Sequence, residues 1–170
     1  ALSLYTTQME VMPRLLTSFL RRNEIFVDAR DCVASEGRPC AFADPLADDL
    51  SRFANPSADI ASVTVARTRD GLVATARLRA NAAPGVRYVF RFRPMRPAAA
   101  TTPVATRVRR VAVAESTGRN VECRIGLVDL GLPEPAWSGR VQVDVETVLP
   151  AGIVIDRTGY RAVTIAGADR

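Results

Sequence analysis

From residue 60 to the end of the chain the apolar residues recur at every second position, and this period of two narrows the possible folds more than any other feature. "IASVTVAR" (60–67), "LVATARLR" (72–79), "VRYVFRFR" (86–93), "TRVRRVAVAE" (106–115), "VECRIGLVDL" (121–130), "RVQVDVETV" (140–148), "GIVID" (152–156) and "RAVTIAG" (161–167) all read as strands. In an extended chain alternate side chains point to opposite faces, so such a pattern collects an apolar set on one side. Asp70-Gly71, Pro84-Gly85, Thr117-Gly118, Ser138-Gly139 and Thr158-Gly159 fall between the segments as turn signals. About eight short strands at this spacing predict a mainly β fold, an antiparallel β-sandwich of jelly-roll or Ig-like type. Leu72, Leu78, Tyr88, Phe90, Phe92, Ile125, Val143 and Val145 are the expected inward residues. The proline-rich "RPMRPAAATTP" (93–103) is expected to cross between sheets or to form a mobile excursion.

Residues 7–22 follow a different period. Thr7 and Glu10 have capping-box spacing, and Met9, Met12, Leu16, Phe19 and Leu20 make an apolar stripe at helical intervals. Pro13 suits a first turn, which leaves Arg14 to Arg22 as the firmest helical stretch, with arginines at its C-terminal end. The expected organisation is therefore a helical arm over 1–31 followed by a sandwich domain over 32–170. The stripe either packs on its own domain or binds a protein partner. The second reading places its principal contacts on another chain or in a groove outside the sandwich core, since an exposed stripe of this kind costs solubility.

Every one of the 23 basic side chains is arginine, and the chain of 170 residues contains neither lysine nor histidine. This excludes Ser-His-Asp and Cys-His catalysis, Schiff-base lysines, imidazole metal ligands and the P-loop. With no apolar run of about 18 residues, the chain has no expected transmembrane segment. The arginine bias has a compositional explanation in a GC-rich genome and a functional one in bidentate anion recognition. The start "ALSLYTTQ" fits a trimmed or a mature, processed chain.

Three cysteines are too few for a zinc site without histidine. Cys32 and Cys40 bracket the turn-rich "VASEGRP" and are expected to form a disulfide if the chain matures in an oxidising compartment. Cys123 then remains as a buried thiol in a strand, while a pairing of Cys32 or Cys40 with Cys123 stays open.

Two polar patterns stand out. In "VRYVFRFR" Val86, Tyr88, Phe90 and Phe92 fall on one face and Arg87, Arg91 and Arg93 on the other. Arg107 and Arg109 repeat the arrangement, so one sheet is expected to carry an arginine-studded face for anions such as acidic polysaccharide or phosphate. The competing expectation pairs these arginines with Glu122, Asp144 and Glu146 on neighbouring strands. A low aromatic content, 6%, argues against nucleic acid as a partner because few rings are left for stacking bases. The second pattern is acidic: Asp44, Asp48, Asp49 and Asp59 are candidate calcium ligands, against the plainer reading that aspartates favour turns and strand flanks. No other cofactor is expected.

"FADPLADDLSRFANPSADIASVTV" (42–65) and "LVDLGLPEPAWSGRVQVDVETV" (127–148), with "DRTGY" (156–160), resemble secreted bacterial β-sandwich domains of the carbohydrate-binding family 9-like and DOMON-like kind. The resemblance implies the sandwich fold and an extracytoplasmic, secreted or surface-exposed location. It carries over neither sugar nor haem binding, since Trp137 is the only tryptophan and no histidine is present. The expected function is a non-catalytic structural or accessory subunit acting through protein–protein contacts. A carbohydrate- or polyanion-binding module and a viral capsid-like jelly roll are the alternatives.

Overall fold

The computed structural model describes residues 26–27, 32–43, 55–95, 109–113, 116, 118–130 and 139–166. The expected helix, with Met9, Met12, Leu16, Phe19 and Leu20, lies outside the described residues, as do Asp44, Asp48, Asp49, Arg107 and Trp137. The described chain is mainly β. Its strands are β1 (Phe26–Val27), β2 (Val33–Ala34), β3 (Cys40–Ala43), β4 (Ile60–Arg67), β5 (Gly71–Leu78), β6 (Arg87–Met95), β7 (Arg109–Val113), β8 (Asn120–Gly126), β9 (Gly139–Val148), β10 (Val154–Arg157) and β11 (Tyr160–Ile165).

These strands form two sheets. The smaller has the order β3-β4-β5-β8, and the larger runs β1-β11-β9-β6-β7, with β10 also on β9 and β2 also on β11. Pairing is antiparallel except at one edge, where β1 and β2 lie parallel to β11. One apolar cluster joins both sheets, with Val63, Val65, Leu72, Ala74, Ala76, Val121 and Ile125 from the smaller and Tyr88, Phe90, Phe92, Val141, Val143, Val145 and Val163 from the larger. All eight residues expected to point inward are buried. The alternation that located the strands is thus the alternation that fills the core.

Sequence and structure part company at strand ends. The 121–130 segment stops being a strand at Gly126, because the Leu130 N–H turns back to the Gly126 and Leu127 carbonyls at 3.2 and 3.1 Å. Leu127 and Leu130 remain buried, so a turn here imitates the strand pattern. β6 continues through Pro94 to Met95 instead of yielding to a loop at 93. Among the described residues Pro94 pairs with Val141 of β9 alone, since pairing with β7 ends at Phe92, and an absent N–H is tolerated on that side. At the β4–β5 turn Gly71 is required, because an added Cβ would collide with the Ile125 carbonyl oxygen on β8.

Polar ties hold one sheet to the other. Leading into β4, the Ser57 and Ala58 carbonyls accept from the Tyr88 and Thr147 hydroxyls, each at 2.8 Å, and the Ile60 N–H donates to Asp156 Oδ2 at 2.7 Å. At the β2–β3 corner Cys32 and Cys40 form a disulfide with their Cα atoms 5.4 Å apart. Cys32 precedes β2 in the larger sheet and Cys40 opens β3 in the smaller, so the bond fastens the two edges together. Arg67 of β4 crosses the same edge, donating from Nη1 to the Ala166 carbonyl at 3.0 Å.

Candidate functional site

The face of the larger sheet that points away from the core carries the most concentrated polar chemistry among the described residues. Its origin is the register. β6 and β9 run antiparallel with Phe92 opposite Val143 and Phe90 opposite Val145 on the core side, which sets Arg91 opposite Asp144 on the other. On β10, Arg157 stands opposite Glu146. The single pairing of β9 with β10 and β11 thereby brings Asp144, Glu146 and Arg157 beside Arg91.

Asp144 is the hub. Its Oδ2 accepts from Arg91 Nε at 2.8 Å and from Arg157 Nε at 2.9 Å, and Arg91 Nη2 also contacts it closely. Glu146 Oε1 lies 3.0 Å from Arg91 Nη2 and 3.6 Å from Arg157 Nε. The Tyr160 ring is stacked among guanidinium groups, with the central carbons of Arg91 and Arg93 at 5.0 Å and that of Arg157 at 5.5 Å from its centroid. Thr158 fixes the geometry. Its N–H donates to the Val145 carbonyl and its hydroxyl accepts from the Val145 N–H, both at 3.0 Å, so the irregularity between β10 and β11 is clamped to β9. Gly159 takes a left-handed φ of 68°, which lets the chain return to the sheet with Tyr160 over the cluster.

Burial decides what this group of charges does. Arg91 is 3% exposed, Asp144 0%, Arg157 2% and Tyr160 1%, values that belong to a core and not to a sheet surface. Charges out of water persist only when paired, and two guanidinium groups against two carboxylates meet that condition. Bidentate arginine geometry suits the task, whereas a lysine ammonium would present a single point of charge. Chemically the cluster is therefore a neutralised ionic layer.

The remaining expected site residues fall elsewhere. Arg87 is exposed at the start of β6, and Arg93 is half-buried against Tyr160. Arg109 stands in register with Phe92, and its neighbour Arg110 with Arg91. The expected pairing of Asp144 and Glu146 with an arginine across the sheet is present, whereas Glu122 takes Arg124 of its own strand at 2.8 Å. Asp59 is buried ahead of β4; its carboxylate lies 3.7 Å from Arg79 Nε and its carbonyl accepts from the Arg79 N–H at 3.0 Å. Among the described residues no three Cys, Asp or Glu side chains converge as metal ligands, and no helix is long and apolar enough to cross a membrane. Burial pushes the Cys123 thiol up to about 11, which keeps it protonated and unreactive. A shallow groove of about 410 Å³ lies at the β4–β5 turn, with Arg69, Asp70 and Arg124 at its rim.

Reading the sequence missed Arg157 and Tyr160. The only signal was "DRTGY", whose Thr-Gly pair reads as a plain turn although it is the irregularity that aims Tyr160 onto the cluster. Compared with known proteins, the chain matches no family model, no curated protein and no solved structure.

Proposed function

We propose that this protein is a non-catalytic structural or accessory subunit of an extracytoplasmic or surface assembly, working through protein–protein contacts. One observation carries the reading: among the described residues the buried reactive side chains are spent on the fold itself. Asp144 and Glu146 are bound by Arg91 and Arg157, Asp156 holds the Ile60 N–H, Cys32 and Cys40 are joined, and Cys123 is buried. A domain so arranged offers shape and contact surface in place of acid, base or nucleophile. The disulfide suits an oxidising compartment, in agreement with the proposed location. The segment ahead of β1, expected to be helical and carrying the stripe of Met9, Met12, Leu16, Phe19 and Leu20, is the proposed contact element; within the expected arm of 1–31, Phe26–Val27 instead form a strand of the larger sheet.

Light scattering across a dilution series tests this directly. A particle several times the 18.4 kDa chain mass is expected at high concentration, and a monomer throughout would remove the assembly reading.

A second reading, a module for acidic polysaccharide or another polyanion, draws on the exposed Arg87 and the net charge of +5. Arg91 supports it less, being paired with Asp144 and Glu146. The capsid-like jelly roll draws on strand number and the arm.

A further inference from the structure

We infer that the exposed outer face of the smaller sheet, with the groove at the β4–β5 turn, is a binding site for an acidic polysaccharide held by Arg69, Arg77 and Arg124. The inference rests on the polyanion reading above and moves its site from the larger sheet to the smaller.

The first observation is how differently the two sheets use arginine. On the larger sheet Arg91 and Arg157 are 3% and 2% exposed and committed to Asp144 and Glu146. On the smaller sheet Arg77 of β5 and Arg124 of β8 are exposed, as is Arg69 in the turn ahead of β5. The Arg124 side chain is 78% exposed, and the Glu122 carboxylate that it meets at 2.8 Å is exposed as well. A surface pair of this kind contributes little, so a ligand anion displaces the carboxylate at small cost.

The second is what the register places between the arginines. Three outward rungs cross β4, β5 and β8, namely Ser62, Arg77 and Asn120, then Thr64, Thr75 and Glu122, then Ala66, Val73 and Arg124. The Arg77 and Arg124 rungs are about 14 Å apart at about 3.4 Å per residue. One small anion does not span that length, whereas an extended chain with anionic groups at intervals does. The half-buried hydroxyls of Ser62, Thr64 and Thr75 between them donate and accept hydrogen bonds, as sugar hydroxyls do. Among the described residues no aromatic side chain stands on this face, so bases find no stacking surface and recognition falls to charge and hydroxyl groups.

The third is a recess at one end of the strip. Arg124 and Val73 also line the groove of about 410 Å³, where Thr68 and Arg69 add a hydroxyl and a second guanidinium against the single carboxylate of Asp70. Guanidinium forks match the paired oxygens of carboxylate and sulfate groups.

Calorimetric titration of the full chain with dextran sulfate and with polygalacturonate tests the site and separates sulfate from carboxylate as the recognised group. Binding that weakens with salt is expected for at least one of the two polymers. Arg77→Gln and Arg124→Gln should each weaken it roughly tenfold, the scale of one charge-assisted hydrogen bond. Glu122→Gln should tighten it, and all three variants should melt as the unaltered chain does. Unchanged affinity in the combined Arg77→Gln and Arg124→Gln variant would overturn the site. Should that variant unfold, Glu122→Gln decides, since unaltered or weaker binding there overturns the site as well. Equal affinity for uncharged dextran or for single-stranded DNA would overturn the ligand class. A loss on Arg87→Gln with none at Arg77 or Arg124 returns the site to the larger sheet and leaves the polyanion reading standing, whereas no binding of either polymer at low salt removes both.

Discussion

At the centre of β6 and β9 side chains are buried on both faces, but the two faces are built on opposite plans. Toward the smaller sheet stand Tyr88, Phe90, Phe92, Val141, Val143 and Val145, all within 1% of full burial. Toward the other side stand Arg91, Asp144 and Glu146, with Arg157 and Tyr160 brought in from β10 and β11. The apolar face gains stability from area and volume, so each residue contributes nearly on its own and neighbours adjust to small changes. On the polar face each charge is tolerated because of its partner, and loss of one partner strands the other. Burial on both faces thus amounts to two kinds of stability, one graded and one conditional.

The largest expected effects come from breaking each plan once. Asp144→Ala should cost about 3–5 kcal/mol, since it leaves two guanidinium groups buried against one carboxylate. Phe90→Ala should cost a similar amount, about 3–5 kcal/mol, through lost burial and a cavity. The plans then separate in compensation. Arg91→Met combined with Asp144→Leu should recover much of the Asp144→Ala loss, because apolar replacements of matched size often stand in for buried ion pairs. Urea unfolding of the set checks this, and a double variant weaker than Asp144→Ala alone would show that the cluster is not a conditional pair.

A smaller effect is expected at the sheet edge, where the tie is covalent. Replacing Cys32 and Cys40 by serine should cost on the order of 2 to 3 kcal/mol by the loop-entropy relation, with the hydrogen bonds of β2 to β11 left in place. Thermal unfolding of the variant beside the oxidised protein gives the number. If reduction left the melting temperature unchanged, the edge would be held by Arg67 and the β2–β11 bonds alone.

The smallest concerns the apolar side of the smaller sheet. Cys123 ionises at about 11 in the fold against an ordinary 9.0, because burial disfavours the thiolate. The unfolded chain therefore releases this proton first as pH rises, so the contribution is complete below pH 9 and is lost through about pH 11. Burial raises Tyr88 as well, against an opposing backbone hydrogen bond, and adds a loss of the same sign at higher pH. Stability measured from pH 8 to 11 should decline, and Cys123→Ala should flatten the earlier part of that decline. Identical curves would place the pH sensitivity elsewhere.

Much of this architecture was legible in the residues. The pleat put Phe90 and Arg91 on opposite faces whatever the rest of the chain did, and the short turn-rich separation of Cys32 and Cys40 pointed to their bond. Strand ends were harder, because Leu127 and Leu130 bury themselves from a turn as well as from a strand. β1 and β2 left no signal, since two-residue strands carry no period.

By itself the sequence determined the strand period, the division of side chains into two faces and, through the absence of histidine and lysine, the narrow range of chemistry. These are properties of adjacent residues and of composition. Only the tertiary structure decided that Arg91 of β6 is buried, that Asp144 lies between Arg91 and Arg157, and that Tyr160 stacks above them. Arg91 and Asp144 are 53 residues apart. Their meeting is set by which strands pair and in what register, which is not encoded in a local period of two.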